Sequence, residues 1–130
     1  MPFPSEPQER TRLIAAGMRA FMRLTELWDL TPAQQATLLG ASSPDQCSMW
    51  LNGDVEGADV ELLERLSNLL GIYKALKMLG VGTDGGRLWL RGPNQSAAFD
   101  SGSPLDRMLR GDLKDLAAVR QYLDAQFEWG

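Results

Sequence analysis

Histidine is absent from all 130 residues. That removes the side chain most often used to move protons near neutral pH and the commonest nitrogen ligand for metals. Most hydrolase and metalloenzyme chemistries lose a principal part, so no enzyme, metal site or cofactor is expected. Cysteine occurs once, as Cys47, so no internal disulfide can form and a secreted, disulfide-framed domain is excluded. No apolar run approaches the roughly 18 residues a membrane span requires, and no charged-then-apolar leader opens the chain, so a cytoplasmic protein without membrane association is expected. Positive charge is also scarce, with 13 Lys and Arg against 17 Asp and Glu and a net charge of -4. A dedicated nucleic-acid coat protein carries the opposite sign, so any DNA contact needs a local basic patch.

What is present is helical periodicity. A chain of this length suits one compact unit or two very small helical ones. Residues 1–7 carry prolines at 2, 4 and 7 and no periodicity, which reads as a disordered or loosely docked arm. From about Gln8 to Asp29, the residues Ile14, Met18, Phe21, Leu24 and Trp28 recur on one helical face, while Arg10, Arg12, Arg19 and Arg23 supply much of the other.

Three later segments open with the same device: Thr31-Pro32-Ala33-Gln34, Ser43-Pro44-Asp45-Gln46 and Ser103-Pro104-Leu105-Asp106. In each, a hydroxyl can cap a free backbone N–H, proline takes the first helical position where no donor is missed, and a polar acceptor sits at the third. Helices are therefore expected over about Pro32–Leu39, stopped by Gly40, and Pro44–Leu51, stopped by Asn52-Gly53. A longer one over about Ala58–Leu79 carries a seam of Leu62, Leu66, Leu69, Tyr73 and Leu76, suited to core packing or to self-association.

Arg87-Leu88-Trp89-Leu90-Arg91 fits a strand or a short helix, and with no second strand to pair with it, helix is favoured, broken at Gly92-Pro93. Gln95–Gly102 is loop by composition. A short helix over Pro104–Arg110, a stop at Gly111, an Asp112 cap and a last helix to about Gln126 complete roughly seven helices. The last helix offers the face Leu116, Val119, Leu123 and Phe127. The fold class expected is all-α, a small multi-helix protein divided into the arm, a helix-turn-helix-like region over 8–56, and a C-terminal helical domain over 57–130 that includes the linking helix 58–79.

Two regions are candidates for function. In the helix pair 32–52, Ala36, Leu39, Gly40 and Ala41-Ser42 resemble the first helix and turn of a helix-turn-helix, with Cys47, Trp50 and Leu51 facing inward. Ser43, Gln46, Ser48 and Met49 then lie nearer the outside, and Ser43, Gln46 and Ser48 are the candidate DNA contacts. Yet between Thr31 and Gly71 there is one base, Arg65, against six acids, Asp45, Asp54, Glu56, Asp59, Glu61 and Glu64. Phosphate contacts carry most non-specific DNA affinity, and this stretch has little to make them with. The turn is also one residue longer than the usual pattern. A scaffold or dimerisation role is the alternative to DNA binding.

In the C-terminal half, Leu70-Gly71-Ile72-Tyr73-Lys74-Ala75-Leu76, then Trp89-Leu90-Arg91-Gly92-Pro93-Asn94, then Phe99, then Ser103-Pro104-Leu105-Asp106-Arg107-Met108-Leu109, then Gly111, Leu116, Val119, Arg120 and Tyr122-Leu123-Asp124 form an ordered set. That set resembles the toxin-binding domain of the Xre/MbcA/ParS antitoxins. The resemblance implies a partner that is a RES-domain toxin, an enzyme that consumes NAD or transfers its ADP-ribose. It implies inhibition by covering the toxin's active site, antitoxin chains that pair with each other as a homodimer, and an N-terminal helix-turn-helix-like region that can bind operator DNA. One departure is that family members usually carry a glycine pair after the phenylalanine, where Asp100-Ser101-Gly102 stands here, so a loop of different shape is expected.

The residues expected to meet the toxin are Trp89, Arg91, Asn94, Arg120, Asp124, Phe127, Glu128, Trp129 and Gly130. Arg91 and Arg120 read equally as solvated or ion-paired cations, and Asn94 as a loop residue that satisfies freed backbone groups. The tail Phe127-Glu128-Trp129-Gly130 is aromatic and acidic beyond what its helix needs for packing, and aromatic anchors dominate interface energetics. An electropositive pocket that binds the phosphates of NAD would accept such a plug, while docking against its own domain is the competing role. Gly80-Val81-Gly82 and Gly85-Gly86 lack the preceding strand and following lysine of a phosphate loop. Asp112 and Asp115 read as helix-start charges favoured by the helix dipole. The rival from another class is a helix-turn-helix transcriptional regulator whose C-terminal half only dimerises.

Overall fold

The computed structural model describes residues 6–80, 84 and 86–129, except the side chains of 128 and 129. The expected all-α class holds. In chain order the helices are α1 (Pro7–Trp28), α2 (Pro32–Leu39), α3 (Pro44–Leu51), α4 (Val60–Met78), α5 (Arg87–Arg91), α6 (Pro104–Met108) and α7 (Leu113–Trp129), with a single 3-10 turn at Ala97–Phe99. Helix α1 opens at Pro7, the last residue of the expected arm; residues 1–5 lie outside the described residues. The segment 87–91 is helical, and Gly92 ends it in an extended conformation (φ -81, ψ 153), as a residue before proline prefers.

Local chemistry sets the helix starts. Thr31 Oγ1 accepts from the Gln34 N–H (3.1 Å) while Gln34 Oε1 accepts from the Thr31 N–H (2.9 Å), and Ser103 and Asp106 repeat the pattern at α6. Ser43 caps α3 through the Gln46 N–H, but the Gln46 side chain reaches past it to the Ser42 N–H (2.7 Å). Helix α4 starts two residues later than its periodicity suggested, because Asp59 Oδ1 accepts from the N–H groups of Glu61 and Leu62. Caps of this type are each worth about 1 kcal/mol.

The core is one continuous cluster. The face Ile14, Met18, Phe21, Leu24 and Trp28 is wholly buried, and in α4 Leu62, Leu66, Leu69 and Leu76 are buried together with Ile72, while Tyr73 stays half-buried. The α4 seam is thus spent on the chain's own core. Helix α4 is central and packs on α1, α2 and α7. A Cβ on Gly17 would lie 3.1 Å from Leu66, Leu24 and Leu27 share a cleft with Leu70 and Tyr73, and Arg120 of α7 reaches Ser67. These pairings make α1, α4 and α7 run in the same general direction, so their C-terminal ends gather at one end of the molecule.

Arg65 joins the two halves. It is 5% exposed and donates to the carbonyls of Thr37 (3.4 Å) and Leu38 (3.3 Å) at the end of α2, to that of Gly111 before α7 (2.7 Å), and to Glu61 Oε2 (3.0 Å). Gly40 makes room for it: its φ is +70, and a Cβ there would fall 2.6 Å from Arg65 Nε. A buried guanidinium holds its place only with its donors used, and this one caps a helix and anchors a distant turn with them.

Candidate functional site

Of the candidate DNA-contacting residues, Ser43 and Gln46 are committed to local bonds. Ser43 Oγ caps α3, and Gln46 Oε1 accepts from both the backbone N–H and the hydroxyl of Ser42. Ser48 is exposed beside exposed Met49, while Cys47 and Trp50 are buried and Leu51 half-buried, which is the facing the sequence implied. Arg65, the single base of this stretch, is inside the protein and offers no charge to a phosphate. Burial pushes the Cys47 thiol above its ordinary value, so it stays protonated at neutral pH and is no nucleophile. The cleft lined by Leu39, Gly40, Gln46, Trp50, Asp59 and Glu61 has a volume of about 210 Å³, below the roughly 300–1,000 Å³ of small-molecule sites.

In the C-terminal half the structure divides the expected contact residues into two groups. The first group is turned inward. Arg91 donates from Nη2 to the carbonyls of Trp28 (2.9 Å) and Asp29 (2.6 Å), closing the C-terminal end of α1, where Asp29 takes the left-handed conformation at φ 55. A cation at that position also favours the α1 dipole. Arg120 donates to the Ser67 carbonyl (3.1 Å) and lies so close over Gly71 that a Cβ there would meet its Cζ at 2.6 Å. Its contact to Asp124 is a loose 3.7 Å, and Asp124 is exposed. Asn94 closes the loop that follows α5: its N–H donates to Gly102 (2.9 Å), and its Oδ1 accepts from the Ser96 N–H (2.9 Å).

The second group is aromatic. Trp89 lies nearly parallel to Tyr122 (centroids 6.3 Å, 22°) and edge-on to Phe99 (6.1 Å, 88°), while Phe99 and Tyr122 meet edge-on at 5.1 Å. Phe99 is buried and the other two are half-buried, so the trio ties α5, the 3-10 turn and α7 together and leaves part of two rings at the surface. Phe127, expected on the inner face of α7, is 41% exposed instead. Leu116, Val119 and Leu123 already fill that face, and Phe127 lies beyond it toward the helix end. The side chains of Glu128 and Trp129, and the whole of Gly130, lie outside the described residues, although α7 itself continues to Trp129.

Sequence reasoning missed several supports of this surface. Asp115 is more than a dipole charge: it is 2% exposed, accepts from Arg107 Nε at 2.8 Å and from the Asp112 N–H at 3.3 Å, and Arg107 donates onward to the Ala98 carbonyl. Leu88 was passed over as part of the alternating run 87–91, yet a five-residue helix cannot bury three consecutive apolar side chains on one face. Leu90 is buried, Trp89 half-buried and Leu88 left in solvent. Asp100 and Ser101 both have positive φ, 49 and 67. The loop after Phe99 therefore follows a left-handed path that glycine adopts freely and other residues adopt at a cost.

With this geometry in place, comparison with known proteins bears on the same residues. A family model described as the antitoxin Xre/MbcA/ParS C-terminal toxin-binding domain matches residues 75–128. A protein of Sinorhizobium fredii (strain NBRC 101917 / NGR234), described as uncharacterized protein y4oB, is 38% identical over 123 residues, covering 94% of this chain and 92% of that protein.

Proposed function

Since the chain belongs to the Xre/MbcA/ParS antitoxin family, we propose that it neutralises a RES-domain toxin, an enzyme that consumes NAD or transfers its ADP-ribose, by occluding the toxin's active site. Its role is that of an antitoxin, and it acts by binding, without turnover of its own. The observation that carries the proposal is the build of the C-terminal half. Residues 75–128 match the toxin-binding domain, and within them a cross-braced scaffold of α5, α6 and α7 ends in an aromatic and acidic tail.

In this reading the expected residues have two tasks. Arg91, Asn94 and Arg120 position: their polar groups hold α5 to α1, close the 93–102 loop and seat α7 on α4. Trp89, Asp124 and Phe127 face the toxin, and Phe127, Glu128, Trp129 and the Gly130 carboxylate enter its pocket. A pocket that holds the two phosphates of NAD is electropositive, and an acidic peptide with flanking rings matches its charge and shape. Holding the plug on a rigid helix lowers the ordering cost of association.

Pairing of two antitoxin chains belongs to the same proposal, and the apolar cleft of about 200 Å³ lined by Ala20, Leu24, Leu27, Leu70 and Tyr73 supports it. Operator binding by α3 is the weaker reading, since of its three candidate residues only Ser48 is free of a capping role. Co-expression tests the main proposal. The full chain should rescue cells from a RES-domain toxin, and a chain lacking residues 84–130 should not; rescue by the truncated chain would defeat the occlusion mechanism.

A further inference from the structure

The two most exposed large apolar side chains of the described residues are Leu88, at 77%, and Met78, at 64%. Both fall in residues 74–91, which carry four cations, Lys74, Lys77, Arg87 and Arg91, against the single acid Asp84, in a chain whose net charge is -4. Among the described residues Lys74, Lys77 and Arg87 have no carboxylate within ion-pair distance. Lys74, Lys77 and Met78 follow one another at helical spacings of three and four, so they share the exposed face of the last turns of α4.

The helix that displays Leu88 is pinned on every other side. Gly86 at its start rests against Leu76, so closely that a Cβ would meet Leu76 Cδ1 at 2.6 Å. Leu90 is buried, Trp89 lies against Tyr122 and Phe99, and Arg91 is bound to the last carbonyls of α1. Since Gly86 touches Leu76, and Leu88 and Met78 are each two residues further on, both emerge at the same end of the molecule. An apolar side chain held on a fixed element in water, beside unpaired cations, is already in the form a binding anchor requires.

We infer that this shoulder, with Leu88 and Met78 as apolar anchors and Lys74, Lys77 and Arg87 as a basic rim, is a second docking surface for the toxin, receiving an apolar patch edged with carboxylates. The shoulder lies within or beside residues 75–128, so it continues the toxin-binding domain, and its basic charge is opposite to that of the acidic tail. The two surfaces therefore engage different parts of the partner: the tail engages the electropositive pocket, and the shoulder engages acidic ground outside it. The inference rests on the antitoxin reading above.

The test measures the affinity of the full-length chain and its variants for the purified RES-domain toxin, together with NAD turnover. Leu88→Ser should weaken binding about tenfold or more with an unchanged thermal midpoint, as truncation of a central anchor does. Lys77→Glu with Arg87→Glu should slow association and flatten its salt dependence. If the wild-type chain binds and inhibits and all these variants match it, the shoulder is refuted while the antitoxin reading stands; if the wild type neither binds nor inhibits, both fall. Pelleting of the wild type with phosphatidylserine vesicles, abolished by Leu88→Ser, would make the shoulder a membrane site and overturn the inference.

Discussion

In the α2–α3 pair, short polar side chains reach the surface and are tied to their own backbone, as Ser43 and Gln46 are. In the α5–α7 half the long polar side chains are tied inward, as Arg91, Arg107 and Arg120 are, and apolar ones are left in water, as Leu88 and Phe127 are. Both regions satisfy their helix ends and bury one face. They differ in what remains after that is done. The first keeps little with which to grip a polyanion, because its one guanidinium is inside. The second keeps aromatic and aliphatic area on elements that cannot move, which is the raw material of a protein interface. Function in this molecule is better read from what the packing leaves over than from which residue types occur.

That contrast can be broken or sharpened by mutation. The largest effect should come from Phe99→Ala, which empties the centre of the aromatic trio. A loss of about 3–5 kcal/mol in chemical denaturation is expected for a buried phenylalanine, and toxin binding should fall with it. A loss under about 1 kcal/mol would mean that the trio does not brace the C-terminal half. Next is Arg65→Ala. It strips partners from the carbonyls of Thr37, Leu38 and Gly111 at once, for which about 3 kcal/mol is expected. Because those carbonyls belong to both regions, the variant should still unfold in one transition followed equally by tryptophan fluorescence and circular dichroism; two separated transitions would show that the regions are independent.

A smaller change of opposite sign is expected at Ser101→Gly. At φ 67 the serine holds a left-handed conformation that glycine takes without strain, so the variant should gain about 0.5–1 kcal/mol, read as a higher denaturation midpoint. The smallest effect belongs to the first region. A gel-shift titration of the chain alone against its own upstream DNA should show weak binding that Ser48→Ala leaves unchanged. Tight, salt-sensitive binding lost in that variant would instead favour the transcriptional-regulator reading.

The sequence disclosed what is decided within a few residues. The Thr31, Ser43 and Ser103 caps, the stops at Gly40 and Gly53 and the buried face of α1 all follow from spacings of three and four, and the ranges of α2 and α3 came out to the residue. It did not disclose what depends on distant partners. Arg65 looked like an isolated base in an acidic stretch, and only folding brings Gly111, 46 positions away, to its guanidinium. Arg91 is linked in the same way to a helix end 62 and 63 positions earlier. The missing glycine pair after Phe99 was a local signal with an ambiguous meaning: Asp100 and Ser101 hold positive φ without glycine, and no steric rule read from sequence marks them as doing so. For the candidate site, the aromatic character of the region was legible. Its division into positioning cations and exposed anchors was not, since exposure is settled only once the neighbouring helices are in place.

The account's central claim is that the C-terminal end of this chain stands where a toxin's dinucleotide would stand. The direct measurement is a titration of a purified RES-domain toxin with the chain while NAD consumption is followed at several NAD concentrations. The account predicts that turnover falls to zero at a fixed molar ratio of the two proteins, and that more antitoxin is needed as NAD is raised. Formation of a stable complex in which the toxin goes on consuming NAD at its full rate would contradict it.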